Sequence, residues 1–175
     1  MNKKVLIAYF SRAGNNYVGG AIVNLTVGNT EVAMNTVEKL TGGEMFRIDP
    51  VNKYAADYTE CTEEAQQELR ANARPELVGY LDTIDDFDAI ILGYPNFWGT
   101  MPMPVFTFLE RYDFSGKLIL PLCTHEGSGM GRSEGDIKKL CPGADVRPGL
   151  AIRGSSVKTA ANDIENWLKK EGVIG

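Results

Sequence analysis

The chain has 175 residues, of which 43% are hydrophobic and 23% are charged, and its formal net charge is −5. This length suits one domain, which we expect to comprise residues 1–175, and this composition is that of a globular protein rather than a disordered one. The acidic balance argues against a nucleic-acid partner, because binding to phosphate backbones needs a basic face.

Membrane and metal partners are not expected either. No apolar segment reaches the length of a membrane span, and the apolar run after Lys3 and Lys4 is too short for a secretory signal. The cysteines, Cys61, Cys123 and Cys141, are far apart and lack the Cys-x-x-Cys spacing of metal or redox sites. They fit reduced core thiols, so we predict a cytoplasmic protein.

The first predicted element is a strand over Val5–Phe10, an unbroken apolar run that ends abruptly in Ser11-Arg12-Ala13-Gly14. Residues 15–29 follow, and their Gly19-Gly20 pair between β-forming residues predicts a small hairpin, or lip, inserted in the loop. A helix then begins with Thr30 as its N-cap and stops at Gly42-Gly43.

The rest of the chain alternates between short apolar runs and helical patterns. The remaining predicted elements are, in order, a strand over Glu44–Asp49, a helix over Cys61–Ala71, a strand over Ala89–Tyr94, a helix from the cap Thr100 to Arg111, strands over Leu118–Cys123 and Val146–Ile152, and a helix from the caps Ser155 and Ser156 through Trp167 that ends at Gly172. Near-continuous runs such as AIILGY and LILPLC indicate strands covered on both faces, as in parallel sheets. We therefore predict a doubly wound α/β fold, with helices on both faces of a five-stranded parallel sheet of order 2-1-3-4-5.

Ligands bind to such folds beyond the carboxyl ends of the strands, and the end of the first strand offers groups for an anion. Ser11 supplies a hydroxyl, Arg12 a cation and Gly14 close approach of the backbone. Helical periodicity follows Asn29 and Thr30 rather than Gly14, so we assign to these two residues the free amides of a helix N-terminus. The combination predicts a phosphate site.

The third strand ends in an aromatic loop. Tyr94, Phe97 and Trp98 lie within the stretch from Gly93 to Pro102, which holds more aromatic surface than a turn requires. A planar ring is the ligand that these side chains suggest.

The fourth strand ends in a glycine-rich loop. Gly127 and Gly129 are interleaved with Thr124, His125 and Ser128, which lets backbone amides approach a ligand closely. His125 is the only histidine of the chain, so a site built on several histidines is excluded.

These three segments resemble the flavodoxin family, in particular bacterial flavodoxin-like proteins that bind flavin mononucleotide (FMN), and the resemblance extends from Val5 to Trp167. The family's phosphate loop, Ser/Thr-x-x-Gly-Asn-Thr, resembles residues 11–14 and, across the insertion, residues 29–30. Its two isoalloxazine loops resemble residues 94–99 and 124–129. The resemblance implies FMN as cofactor, with these binding residues: Ser11, Arg12, Gly14, Asn29, Thr30, Tyr94, Pro95, Asn96, Phe97, Trp98, Gly99, Thr124, His125, Gly127, Ser128 and Gly129. The insertion leaves open whether Asn15, Asn16 and Tyr17 line the site.

The resemblance implies an FMN-binding redox protein that transfers electrons to or from a partner protein or a small acceptor. An NAD(P)H-dependent FMN or quinone reductase is the alternative, and a non-redox binding module that uses the lip is a third reading. The ring chemistry would belong to the flavin, so no catalytic side chain is predicted. A dinucleotide site beginning at Asp49 is disfavoured because the chain lacks Gly-x-Gly-x-x-Gly.

Overall fold

The computed structural model describes residues 3–175. In chain order its elements are β1 Val5–Tyr9, β2 Gly14–Val18, β3 Ala21–Leu25, α1 Asn29–Thr41, β4 Glu44–Arg47, α2 Tyr58–Arg70, β5 Ala89–Pro95, α3 Met103–Arg111, β6 Leu118–His125, α4 Ser133–Leu140, β7 Asp145–Val146, β8 Leu150–Arg153, a 3-10 helix Gly154–Thr159, and α5 Ala161–Lys170.

The main sheet is parallel throughout, and its order is β4-β1-β5-β6-β7, with β8 also paired to β6. Taken by position, this is the order 2-1-3-4-5, and the predicted flavodoxin-like fold class is confirmed. The winding reverses between β1 and β5, so the carboxyl ends of these two strands flank the crevice where such folds bind ligands.

Hydrophobic cores lie on both faces of the sheet, which explains the continuous apolar runs. In β1, Leu6 and Ala8 belong to one core, together with residues of α3 and α4. Ile7 and Tyr9 belong to the other, together with residues of α1, the 3-10 helix and α5. Since successive side chains of a strand point to opposite faces, a strand between two helical layers must be apolar at every position.

The fifth position of the sheet differs from the prediction. We expected one strand over Val146–Ile152, but β7 pairs with the beginning of β6 and β8 with its end. Between them the chain leaves the ladder at Pro148, which has no N–H to donate, and Gly149 donates its amide to the Glu134 carboxylate at 2.9 Å instead.

The predicted hairpin is present. Strands β2 and β3 pair with each other antiparallel, in a two-stranded sheet separate from the main one. Gly19 and Gly20 form its tip with φ of 61° and 92°, a left-handed backbone that favours glycine.

Two predicted helix caps are wrong. Gly28 occupies the N-cap position of α1, so Thr30 lies inside the helix. Pro102 occupies that position in α3, and Thr100 donates its hydroxyl to Asp136 at 2.5 Å. The Thr30 hydroxyl is hydrogen-bonded to the Thr124 hydroxyl. In both cases the hydroxyl that the local sequence assigns to capping is used in a contact with a distant residue instead.

The carboxyl-terminal third contains two further differences. Ser155 and Ser156 lie in the 3-10 helix and cap nothing, because α5 begins only at Ala161. Helix α4 was not predicted, since Ile137 is its one fully buried apolar side chain.

No helix of residues 3–175 is long and apolar enough to cross a membrane.

Candidate functional site

A cleft of about 540 Å³ lies at the carboxyl edge of the sheet. Most of the predicted site residues line it, although they come from four separate parts of the chain. The predicted residues that line it are Arg12, Asn29, Thr30, Pro95, Asn96, Phe97, Trp98, Gly99, Thr124, His125 and Ser128. Ser11, Gly14, Tyr94, Gly127 and Gly129 lie outside this lining.

The two halves of the split phosphate motif meet in space. A Cβ atom on Gly28 would lie 2.2 Å from Ser11 Oγ and 2.7 Å from the Arg12 carbonyl oxygen, so only glycine allows this approach. The Glu31 amide donates to Ser11 Oγ at 3.1 Å. The hairpin therefore loops out between two segments that remain in contact at its base.

The N-terminus of α1 supplies free donors at this junction. The amides of Asn29 and Thr30 lie in the first turn, where no helical acceptor exists, and no acceptor elsewhere in residues 3–175 is bonded to them. Ser11 uses its oxygen as an acceptor, which leaves its hydroxyl proton available. These groups and the positive end of the helix dipole form an environment for an anion.

Arg12 lines the cleft but is held differently from the prediction. Its guanidinium donates to the carbonyls of Ala55 and Ala56, both at 2.7 Å, and to the carbonyl of Asn15. No carboxylate of the described residues pairs with it. Arg12 thus brings an uncompensated positive charge to the cleft, while much of its fork binds the backbone.

The sequence left open whether the first hairpin residues, Asn15, Asn16 and Tyr17, line the site. Asn16 and Tyr17 line the cleft, and Asn15 does not. Asn16 donates its side-chain amide to the carbonyls of Arg12 and Gly14, at 3.0 and 3.1 Å. The hairpin is therefore one wall of the cleft.

The first ring loop presents Trp98 at the rim. Trp98 and Gly99 are the central residues of a tight turn, with φ of 57° and 87°. A tryptophan in the left-handed region is strained, and such strain clusters at functional sites. The Trp98 indole is 47% exposed and donates Nε1–H to the Thr62 carbonyl at 2.8 Å, which fixes the ring against α2.

Tyr94 does not belong to the aromatic surface that we predicted. It is fully buried, and its hydroxyl donates to Ser133 Oγ at 2.8 Å. Burial raises the pKa of this phenol. Phe97 does line the cleft, packed edge-on against Phe10 and Tyr54 with ring centroids 5.6 and 5.8 Å apart.

Asn96 joins the two ring loops. Its side chain donates to the Gly129 carbonyl at 2.9 Å and accepts the Gly99 amide at 2.9 Å. The backbone N–H of Asn96 donates to the Thr124 carbonyl at 2.9 Å. One side chain therefore sets the spacing between the walls that we predicted for a planar ring.

His125 is held in one tautomer. Its Nδ1 accepts the Gly127 amide at 2.8 Å, so the proton of the neutral ring is on Nε2. Burial, and then the positive charge of Arg153, lower the pKa of His125. The lowered pKa favours the neutral ring, which offers an N–H donor rather than a charge.

Helix α2 lines the cleft with a face that sequence reasoning missed. Tyr58, Cys61, Thr62 and Ala65 are spaced at i, i+3, i+4 and i+7, which is one stripe of a helix. The sequence predicted a helix here, but nothing in the spacing of these residues distinguishes a face that packs against the core from one that faces a ligand. Gly154 also lines the cleft without having been predicted, and so does Glu126, which lies in the predicted second ring loop but was not named as a binding residue.

The residues described by the structure contain no cluster of three or more His, Cys, Asp or Glu that could hold a metal. The cleft's donors are amides, hydroxyls and a guanidinium, which suit an organic anion.

The chain matches the family model described as flavodoxin over residues 4–171. It therefore belongs to the flavodoxin family, as the sequence resemblance implied. No curated protein matches it in sequence.

Solved structures agree with this assignment. A candidate flavoprotein of Bacteroides eggerthii DSM 20697 is 26% identical, with a TM-score of 0.78, over 97% of this chain and 98% of that one. A second, of Bacteroides uniformis ATCC 8492, is also 26% identical, with a TM-score of 0.73, over 97% and 99%. A flavoprotein of Lactobacillus acidophilus NCFM, solved in complex with FMN, shares the fold at 20% identity and a TM-score of 0.61, over 90% and 97%.

FMN is the cofactor of this family, and the predicted cofactor is confirmed at that level. The residues of the cleft fit the group. The free amides of Asn29 and Thr30 at the N-terminus of α1 suit a phosphate, and the half-exposed Trp98 indole suits a planar ring.

Proposed function

We propose that this protein binds FMN in the cleft and transfers electrons between it and a redox partner, either a protein or a small acceptor. The observation that carries this proposal is that Asn29 and Thr30, in the first turn of α1, line the same cleft as Trp98 and Phe97. Ser11 contacts that turn, because its Oγ accepts the Glu31 amide. Anion-binding and ring-binding chemistry thus share one cleft.

The phosphate end would use neutral donors more than ion pairs. Asn29 and Thr30 offer free amides, Ser11 offers a hydroxyl proton, and Arg12 contributes positive charge. Hydrogen bonds to a charged group are worth about 1.5–3 kcal/mol each, so two or three of them account for tight retention of a phosphate monoester.

The ring end would use Trp98 as a stacking surface and Asn96 as the spacer of the loops. Because Trp98 is held by Thr62 and Asn96 by Gly129, neither needs to be ordered on binding. Such preorganisation lowers the entropic cost of binding a planar ligand. His125 contributes an Nε2–H donor on the same cleft.

When bound, FMN supplies one- and two-electron transfer, and the protein supplies orientation and electrostatics. Trp98 lies at the rim and is half-exposed, so a ring stacked on it would remain close to solvent and to a docking partner. This arrangement favours exchange of electrons across the rim of the cleft.

The test is direct. The purified protein is expected to absorb in the flavin bands, to release FMN on denaturation, and to bind one FMN per chain when the apoprotein is titrated. A colourless protein that ignores added FMN would overturn the proposal and favour a binding module on the same fold.

The electron donor separates two versions of this function. Stopped-flow mixing of the FMN-loaded protein with NADH or NADPH measures direct reduction. Fast, saturable reduction assigns the NAD(P)H-dependent reductase, whereas no reduction, with rapid reduction by dithionite as the control, assigns a carrier served by another protein.

A further inference from the structure

The β2–β3 hairpin is attached to the rest of the protein at its base, its side and its tip. At the base Arg12 donates to the Asn15 carbonyl, and at the side Tyr17 packs on Tyr58 with ring centroids 6.4 Å apart. At the tip the Gly19 amide donates to Glu126 Oε2 at 3.2 Å. An isolated two-stranded hairpin is marginal in water, so these contacts determine where it lies.

Glu126 connects the tip to two other segments. It follows β6 in the second ring loop, and its other oxygen, Oε1, accepts the Ser155 amide at 3.1 Å. None of the ion pairs formed by residues 3–175 includes Glu126, so its charge is balanced chiefly by the two amides. Both oxygens of one carboxylate are thus used to hold the hairpin tip against the 3-10 helix.

This junction is packed against the anion end of the cleft. A Cβ on Gly154 would lie 2.3 Å from Asn29 Nδ2 and 2.7 Å from Glu126 Oε1, so the three groups are in close contact. Asn29 begins α1 and carries one of the free amides of the phosphate site. The contact that holds the hairpin is therefore adjacent to the group that would hold the phosphate.

The hairpin is long enough to cross the edge of the sheet. It leaves the end of β1 and reaches a residue beyond the end of β6, and β5 lies between these strands. Two strand spacings amount to about 10 Å, and a five-residue strand spans about 17 Å. Asn16 and Tyr17, along this span, line the cleft.

From this geometry we propose that the β2–β3 hairpin is a strap across the cofactor cleft and that Glu126 is the positioning residue that keeps it closed. FMN then leaves or enters only when the Gly19–Glu126 contact opens. This inference rests on the proposed binding of FMN, and it adds that the exchange rate is set by the strap rather than by the phosphate contacts alone.

A disulfide between the strap and the 3-10 helix tests the proposal. The Cβ position of Gly19 is 3.8 Å from Ser155 Cβ, within the range of about 3.5–4.5 Å found in disulfides. The native thiols are buried, so the new pair in Gly19→Cys/Ser155→Cys is the accessible one. FMN release from the oxidised variant, followed by the rise of free-FMN fluorescence on dilution, should be at least tenfold slower than after reduction with a phosphine.

Matched controls separate closure from strain. The single variant Gly19→Cys carries the same strain at φ 61° and should release FMN at one rate with or without the reductant. Equal release from the oxidised and reduced double variant would overturn the strap. Wild-type protein that binds no FMN would instead overturn the proposed function, and the strap with it.

The role of Glu126 has its own test. Glu126→Gln has a single acceptor oxygen and cannot receive both amides, so FMN release should be at least fivefold faster. Glu63→Gln, on the exposed face of α2, removes the same charge and should leave release unchanged. Hydrogen exchange of the Gly19 amide in the apoprotein provides a readout that needs no cofactor. Faster exchange in Glu126→Gln is expected, and unchanged exchange would refute the contact.

Discussion

The hydroxyl oxygens of Thr30 and Thr124 lie 2.8 Å apart, and both residues are almost completely buried. This bond joins the first turn of α1 to the end of β6, and so joins the predicted phosphate site to the second ring loop. Each hydroxyl is the partner of the other, and removing one leaves the other buried and unpaired.

Thr124→Val is therefore expected to cost about 1–3 kcal/mol of unfolding free energy in the apoprotein, because an unpaired buried hydroxyl pays its full desolvation penalty. Thr30→Val/Thr124→Val should cost less than the sum of the single variants. Urea unfolding of all three measures this coupling. Additive losses would mean that the two hydroxyls stabilise the fold independently.

Gly28→Ala should weaken FMN binding and destabilise the fold by about 1–3 kcal/mol, the usual range for an overpacked site. The φ of Gly28 is −63°, which alanine accepts, so the effect comes from the clash with Ser11 Oγ. Gly135→Ala is the matched control. Gly135 lies in α4 with open space around it, and alanine there should stabilise by about 0.5–1 kcal/mol. Calorimetry and FMN titration of both variants make the comparison.

Trp98→Ala should weaken FMN binding by about 2- to 12-fold, which corresponds to the roughly 0.5–1.5 kcal/mol of an aromatic stacking pair. Trp167→Ala is the control for the loss of an indole. Trp167 also donates its Nε1–H to a backbone carbonyl, that of Pro148, but it is buried on the core side of α5. That variant should lose stability and keep its FMN affinity at temperatures where it is folded. Equal affinities in wild type and Trp98→Ala would remove Trp98 from the site.

His125 should titrate below the ordinary histidine value of about 6.5, because burial and Arg153 lower its pKa. The unfolded chain then binds this proton more readily than the folded one, so stability is present above pH 6.5 and declines as the pH falls below it. As the only histidine, His125 gives one imidazole signal in an NMR titration. Arg153→Gln should move its midpoint upward, and an unshifted midpoint would contradict the assigned cause.

The cysteines should resist thiol reagents in the native protein. Burial raises the pKa of Cys123 and of Cys141, each to about 12, and also raises that of Cys61, which Arg12 partly opposes. Cys61 lines the cleft, so it should react first, and added FMN should slow its reaction. Labelling with a disulfide reagent, followed by mass spectrometry, identifies the modified residue. Fast labelling of Cys123 before unfolding would be inconsistent with its environment.

The fold could be predicted because the sequences of its strands indicate how each strand is buried. Val5–Phe10 and Ala89–Tyr94 are apolar at every position, which indicates cover on both faces and hence a parallel sheet. The cap of α1 could not be read in the same way. Thr30 is a good capping residue locally, but its hydroxyl is taken by Thr124, which is far away in the chain.

The sequence indicated which loops line the cleft, since Trp98 of the aromatic loop and Ser128 of the glycine-rich loop both do, whereas Gly127 and Gly129 do not. Tyr94 was misplaced because a strand's last residues are buried or exposed according to what packs above them, here Ser133 of α4. The face of α2 at Tyr58 and Cys61 was missed since its proximity to the cleft arises only from tertiary packing.

The break between β7 and β8 accounts for an unusual residue in the neighbouring strand. Pro121 lies in the middle of β6, a place where proline ordinarily costs a ladder hydrogen bond. Its carbonyl lies 2.8 Å from the Cβ position of Gly149, in the gap where the chain has left the sheet. Because no strand stands beside it there, a residue without an amide proton loses nothing. The proline and the interruption are thus complementary. A proline beside a continuous strand would lose a ladder hydrogen bond, and an interruption beside any other residue would leave a backbone amide without a partner.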